Sequence, residues 1–256
     1  MNKNIVILGA AESGVGAAIL AQQQGYNVFV SDAGTIAEKF KNELLKFNIE
    51  FEEGGHTEDR ILNCDEVMKS PGIPEKVPLV KKIREKNIPV ISEIELAYRF
   101  KGNSKIIAVT GSNGKTTTAS LIYHICLHAG KDCALVGNIG DSFAKQVALD
   151  PKELYVAEIS SFQLDDIETF RPDVAVLTNI TEDHLDRYDY KLENYIHSKF
   201  RIAQNQLATD VLIYCLDDET TIKYLNNFSI KSILAPITMS KELPQGAYLA
   251  NAKMHL

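Results

Sequence analysis

No stretch of this sequence stays apolar for the roughly 18 residues that a membrane-crossing helix needs. Charged or polar residues interrupt every hydrophobic run. The opening MNKNIVILGAAESG does not read as a signal peptide, because glycine and glutamate break its apolar run early. The four cysteines, Cys64, Cys126, Cys133 and Cys215, include no CxxC pair. Buried thiols in a reducing compartment are therefore expected, in preference to disulfides or a metal site. A basic surplus is missing too: 27 Lys and Arg face 34 Asp and Glu, a formal charge of -7. That balance argues against a nucleic-acid surface. It leaves room for an anionic small ligand, since a few local donors can outweigh a global sign.

What is present suits a folded α/β protein. The 256 residues are 45% hydrophobic, enough for one large domain or two ordinary ones with real cores. Strand-like runs alternate with helical ones. IVILG at 5–9 and NVFVSD at 27–32 read as strands, with helices from Gly14 to about Gln24 and over 36–47. DEVMKSPGIP at 65–74 reads as a strand closed by a Pro-Gly turn, followed by a helix over 78–87 and then a short strand and helix to Phe100. The polar KGNSK marks a boundary near Phe100, and the chain is divided into domains at 1–93 and 94–256. In the second, strands are expected at 154–159, 173–178, 210–214 and 231–234, with helices at 191–206 and 218–225. From about Pro236 the pattern is irregular, as in a domain interrupted midway. The fold class expected is α/β: a Rossmann-like N-terminal domain, then an incomplete P-loop ATP-binding domain.

The sharpest local signal is TGSNGKTTT at 110–118, between an apolar strand and a long helix. Gly111 and Gly114 allow the backbone to turn tightly around phosphate, with Ser112 and Asn113 between them. Lys115 adds a point charge. Thr116 can ligate Mg²⁺, and the helix start through Thr117 offers amides. The first glycine of the common P-loop pattern would fall at Val109 and is absent. Further on, Glu158 ends an apolar strand, where a carboxylate is expensive unless paired, solvated or metal-bound. Asp183 and His184 could join it around a metal or simply cap the next helix; spacing leaves both open. Taken alone, Lys199 reads as a solvated helical lysine, and Asn138 as a turn residue in LVGNIG. In the first domain Gly9, Gly14 and Gly16 open a helix and Asp32 closes the second strand, as in a Rossmann turn with a ribose-binding acid. The spacing is not GxGxxG, and an NAD-dependent oxidoreductase is the alternative by fold.

TGSNGKTTT resembles the ATP loop of the Mur ligase and folylpolyglutamate synthetase superfamily. EISSFQLD at 158–165 and NITEDHLDRY at 179–188 resemble its D-glutamate-adding branch, and the resemblance runs over essentially the whole chain. It implies ATP-dependent ligation of D-glutamate to UDP-N-acetylmuramoyl-L-alanine through an acyl phosphate, in cytoplasmic synthesis of cell-wall precursors. A neighbouring Mur-type step is the closest alternative. By resemblance Gly111, Ser112, Asn113, Gly114, Lys115, Thr116 and Thr117 hold ATP, and two Mg²⁺ ions take part. Thr116 and Glu158 serve one ion. His184 serves the other, beside Lys199 as a carbamate in the pattern Tyr195, Lys199, Ile202. Asn138, Ser160, Ser161 and Gln163 approach the substrate. Ser13, Gly14 and Val15 line its phosphates, Asp32 approaches uracil, and Ser70 of the SPGIP turn lies near the uridine or phosphate end. One departure stands out: Ala33 and Gly34 follow Asp32 where some relatives carry threonine and arginine, so uracil recognition would use backbone groups or other side chains. The family's amino-acid-binding third domain is not among these residues. A monomer without membrane or nucleic-acid partners is expected, inactive or nearly so as residues 1–256 alone.

Overall fold

In the computed structural model, which describes residues 2–250 and 253–255, the chain forms two compact units. Neither is continuous in sequence. The first comprises 1–103, 140–152 and 165–170; the second comprises 104–139, 153–164 and 171–256.

The first unit is built on a five-stranded parallel sheet in the order β3-β2-β1-β4-β5. Its elements are β1 (Asn4–Leu8), α1 (Glu12–Gln23), β2 (Asn27–Asp32), α2 (Glu38–Lys46), β3 (Glu50–Glu53), α3 (Glu58–Ile61), β4 (Glu66–Lys69), α4 (Pro78–Glu85), β5 (Val90–Ile91) and α5 (Glu93–Phe100). The central strands are apolar on successive residues because helices cover both faces of the sheet. Val6 and Leu8 pack with Phe29, Ile61, Val67, Leu79 and Ile83 on one side. On the other side Ile7 lies under the start of α1. Pro78 at the first position of α4 supplies a ready helical φ.

The remaining helix of this unit comes from far along the chain. α7 (Phe143–Leu149) packs against α1 and α5. Its approach requires Gly16, where an added Cβ would lie 2.0 Å from Ser142 Oγ. Ser142 caps α7 by accepting from the Lys145 amide. It also donates to Oε1 of Glu93, which accepts the Ala144 amide as well. Burial pushes the Glu93 carboxyl up to about 7 against these donors. The short segment 165–170 is fixed by charge. Glu95 accepts the amides of Glu168, Thr169 and Phe170, and buried Asp166 pairs with Lys69 at 3.0 Å and with Arg84.

The second unit carries an eight-stranded sheet in the order β13-β12-β11-β10-β9-β6-β8-β7. It contains β6 (Lys105–Thr110), α6 (Lys115–His128), β7 (Cys133–Gly137), β8 (Leu154–Glu158), α8 (Ser161–Leu164), β9 (Val174–Leu177), α9 (Leu192–Phe200), β10 (Val211–Cys215), α10 (Glu219–Leu225), β11 (Ile233–Thr238), β12 (Ala247–Ala250) and β13 (Lys253–His255). Pairing is parallel apart from β12 with β13. Ala119, Ile122 and Tyr123 of α6 seal one face of the sheet over Val109, Val156 and Val176. The outer side of α6 leaves Leu121, Ile125 and Leu127 exposed. The stretch after Pro236, expected to be irregular, instead carries strands: β11 runs on to Thr238, and β12 and β13 follow. Their residues are half-buried or exposed, so they lack the apolar run that marks a central strand. No described helix is long and apolar enough to cross a membrane.

Candidate active site

The second unit's site grows from the end of β6. Gly111 sits at φ +148°, and an added Cβ would lie 1.9 Å from Thr178 Oγ1. Gly114 is left-handed with open space around it, so its conformation alone selects glycine. Between them the loop is braced by the residues after β9. The Ser112 amide donates to the Asn179 carbonyl, and the Asn113 amide to Asn179 Oδ1, both at 2.9 Å. Asn179 Nδ2 returns a bond to the Asn113 carbonyl, and Thr178 Oγ1 donates to the same oxygen at 2.7 Å. Ser112 Oγ donates to the Thr181 carbonyl and meets Tyr195 OH at 3.1 Å. Burial raises the Tyr195 hydroxyl, and the bond with Ser112 offsets part of that rise.

This bracing divides the loop residues by role. The amides of Ser112 and Asn113 are already committed. The first α6 bond runs from the Thr118 amide to the Gly114 carbonyl. The amides at the start of α6, through Thr117, are therefore the helix's orphan donors, aimed with the positive end of its dipole. Thr116 and Thr117 are exposed there. Lys115 curls back, its Nζ donating to the Gly111 and Ser112 carbonyls at 2.9 Å.

Glu158 stands one strand away. β8 pairs with β6 so that Glu158 is opposite Val109, two residues before Gly111. The side chain is 1% exposed. Oε1 accepts from Asn138 Nδ2 at 2.7 Å, and Oε2 has no hydrogen-bond partner. A buried carboxylate oxygen without a donor is costly, and a cation would relieve it. Gly137 is required where β7 meets this strand, because an added Cβ would lie 2.3 Å from the Glu158 carbonyl. Among the described residues no group of three or more His, Cys, Asp or Glu could hold a metal ion. Mg²⁺ keeps several waters and takes substrate phosphates, so one or two protein ligands suffice for it. Glu158, with its unpartnered Oε2, meets that requirement for one ligand.

Lys199 is almost fully buried, and α9 delivers it to the loop. Its Nζ donates to the Gly111 carbonyl at 2.7 Å and lies 4.5 Å from the centre of the Tyr195 ring. His184 is left-handed at φ +51° and half-exposed, with Nε2 3.4 Å from Asp183 Oδ2 and its ring 5.3 Å from that of Phe162. Ser160, Ser161 and Gln163 form the start of α8. Gln163 Oε1 accepts from the Ser160 amide and hydroxyl, and the Ser161 carbonyl accepts from Ser198. The Ser160 and Gln163 side chains thus hold the start of α8, and the Ser161 carbonyl ties it to α9 through Ser198. Thr178, Asn179 and Thr181 were not singled out as loop partners in the sequence, where they resemble ordinary turn residues after a strand.

The sequence-predicted residues of the first unit gather at the carboxyl ends of its strands. The order 3-2-1-4-5 places the topological switch between β1 and β4, where open α/β sheets bind ligands. Gly9 and Ser70 meet there: Ser70 Oγ donates to the Gly9 carbonyl at 3.4 Å, and an added Cβ on Gly9 would lie 2.7 Å from that hydroxyl. Gly14 lets α1 start against the turn, since its Cβ would lie 1.8 Å from the Gly9 carbonyl. Ser13 is partly exposed in the first turn of α1, and Val15 is buried. Asp32 clamps two turns, with Oδ2 accepting the Ala10 amide at 2.7 Å and Oδ1 the Gly34 amide at 2.8 Å.

Comparison with known proteins follows the same division. The Mur ligase middle domain matches residues 109–254, and the MurD N-terminal domain matches 4–77. The UDP-N-acetylmuramoylalanine–D-glutamate ligase of Christiangramia forsetii is 51% identical over 98% of the chain, which spans 56% of that protein. The ligase of the same name from Bacteroides fragilis is 52% identical over 96% of the chain and 55% of that protein. The chain thus spans little more than half the length of these relatives. Among solved structures, a Neisseria UDP-N-acetylmuramate:L-alanyl-gamma-D-glutamyl-meso-diaminopimelate ligase superposes with a TM-score of 0.65 at 18% identity, over 99% of this chain and 86% of that one. The Thermotoga maritima UDP-N-acetylmuramate-alanine ligase gives 0.57 at 20% identity, over 94% and 53%. At such identities these two likenesses speak for the fold alone. With a braced phosphate loop, an orphaned carboxylate beside it and relatives half identical along nearly its whole length, the chain belongs to the Mur ligase family, in its D-glutamate-adding, MurD-type branch.

Proposed function

We propose that this chain carries the UDP-substrate-binding and ATP-binding parts of a ligase that joins D-glutamate to UDP-N-acetylmuramoyl-L-alanine. The observation that carries the reading is the phosphate loop of 111–117 set one strand from Glu158, whose Oε2 is buried without a donor. The first unit takes the UDP part through Ser13, Gly14, Val15, Asp32 and Ser70. The second binds ATP and activates the carboxylate.

A carboxylate is a poor electrophile for an amine. In the proposed reaction its oxygen attacks the γ-phosphorus, the bond to the β,γ-bridging oxygen breaks, and ADP leaves with that electron pair. The D-glutamate amine then attacks the acyl carbon, phosphate departs, and the amine proton passes to solvent or the leaving phosphate. No protein nucleophile is needed. The α6 amides and Lys115 draw charge from the β and γ phosphates, and they strengthen as negative charge gathers in the transition state. Lys115 would leave the Gly111 and Ser112 carbonyls to do so. Asn138, Ser160, Ser161 and Gln163 orient the reacting end. Mg²⁺ held by Thr116 and Glu158, with a second ion at His184, would offset the charge of two anions brought together. Carbamylation of Lys199 would replace its cationic head with a carboxylate-like acceptor while leaving one N–H on Nζ, which can still face the Gly111 carbonyl. Cytoplasmic localisation and a monomeric state belong to the same reading.

Calorimetric titration of residues 1–256 with UDP-N-acetylmuramoyl-L-alanine, with NAD as control, tests it. Saturable binding of the UDP compound alone is expected. Binding of NAD alone would replace this reading with an oxidoreductase.

A further inference from the structure

The carboxyl end of β2 holds a side-chain relay that the proposed chemistry leaves unused. Ser31 is fully buried beside Asp32. Its hydroxyl lies 2.6 Å from Glu52 Oε1 and 2.7 Å from His56 Nδ1. Glu52 also accepts the Thr57 amide and hydroxyl. Burial alone would raise the Glu52 carboxyl, but the Ser31 and Thr57 donors, together with the neighbouring His56, outweigh it and hold the group below the usual carboxylate range.

The proton count fixes the relay's direction. An ionised carboxylate only accepts, and a serine hydroxyl has one proton to give. Ser31 therefore donates to Glu52 and must accept from His56, so Nδ1 carries a proton, which in the imidazole form of the ring is the Nδ1–H tautomer. Nε2 is left as an acceptor, and no protein donor engages it among the described residues. With Nδ1 turned to a buried serine, Nε2 is on the opposite side of a ring that is only partly buried. The loop carrying His56 is held against the turn after β2: the Gly54 amide donates to the Gly34 carbonyl and the Gly55 amide to the Asp32 carbonyl. In dinucleotide-binding sheets of related order, the acid at this strand end, here Asp32, meets the ribose of the nucleotide. This strand end is also where Ala33 and Gly34 supply no side chain able to read a base.

We propose that His56 reads the nucleobase, its Nε2 accepting the imide N–H of a uracil-type base. The inference rests on the first unit being the UDP site. An acceptor fixed by tautomer selects uracil, whose N3 carries a proton, against cytosine, whose N3 is itself an acceptor. Ser31 and Glu52 are positioning residues, since they act through the ring.

The test is a cycle on residues 1–256. Calorimetry compares UDP-N-acetylmuramoyl-L-alanine with its N3-methyluridine analogue, in the unaltered chain and in His56→Ala. The unaltered chain should prefer the unmethylated compound by about five- to tenfold, the loss expected when one hydrogen bond goes. His56→Ala should bind the two within about twofold of each other. Ser31→Ala, which frees the tautomer, should narrow the preference while still binding the UDP compound. A role confined to folding would weaken both ligands equally and leave the ratio intact. If His56→Ala keeps the full preference, or the unaltered chain shows none, the assignment of His56 is wrong while the UDP site stands. If the unaltered chain binds neither compound, the UDP reading fails and takes this inference with it.

Discussion

Gly14 owes its identity to one oxygen. An added Cβ would lie 1.8 Å from the Gly9 carbonyl, which is backbone and cannot swing aside. Gly14→Ala should therefore destabilise the first unit by roughly 1–3 kcal/mol, read as a lowered urea midpoint. Gly72→Ala, with no atom within 4 Å of the new methyl group and no left-handed φ, should stay within about 0.5 kcal/mol. Equal losses at the two positions would contradict the packing account. At this scale the sequence was informative where a residue type is expensive. Glycines before a helix and a carboxylate ending an apolar strand both demand a reason, and Gly14, Gly111 and Glu158 each have one. It was silent where the residue type is cheap. Asn179 and Thr178 brace the phosphate loop through ordinary amide and hydroxyl groups, and nothing in their identity sets them apart from turn residues. Lys199 has helical surroundings typical of a surface lysine, yet it is buried against the Gly111 carbonyl. Only the family resemblance drew attention to it.

Among the elements, strand and helix signals were clearest where apolar residues run together, as in β1, β2, β6 and β8. β3, with the sequence EFEE, and the terminal β12 and β13 carry no such run; backbone pairing with a neighbour, not side-chain pattern, creates them. α7 was also unforeseen. Its seven residues are too few for periodicity to register, and the surface it covers lies on α1, more than a hundred residues earlier. Glu93 anchors that helix and makes its hold depend on pH. Burial raises its carboxyl to about 7, above the ordinary 4.5 of the unfolded chain. The protonated form is thus favoured by folding. Glu93 contributes its full stability below pH 4.5 and loses it as pH rises through about 7. The loss is on the order of 3 kcal/mol at most. Glu93→Gln, which keeps an acceptor and cannot ionise, should remove this dependence. Urea midpoints for the two proteins should agree near pH 4.5 and diverge by pH 8, with the variant more stable. A constant difference across that range would contradict burial as the cause.

For the molecule as a whole, the two-part α/β architecture followed from alternating strand and helix signals and from two separate glycine turns. The interleaving of the units did not, since contacts decide it and composition does not change at the crossings. Residues 1–256 span 56% of the Christiangramia forsetii ligase. On the proposed function they are expected to release phosphate from ATP at a small fraction of the rate of a full-length relative, with Mg²⁺ and both substrates present. Turnover near that rate would show that these residues suffice.

The late arrival of α7 bears on how the protein is made. A nascent chain that has just completed β5 and α5 already holds every strand of the first sheet, yet α1 still lacks the helix that covers it. At roughly 5–20 residues per second, translation takes several seconds to add the intervening stretch. During that interval Gly16 and its small neighbours face water as an unfinished seam. The window opens anew on every ribosome, and a chaperone that engages young chains would find its natural foothold there.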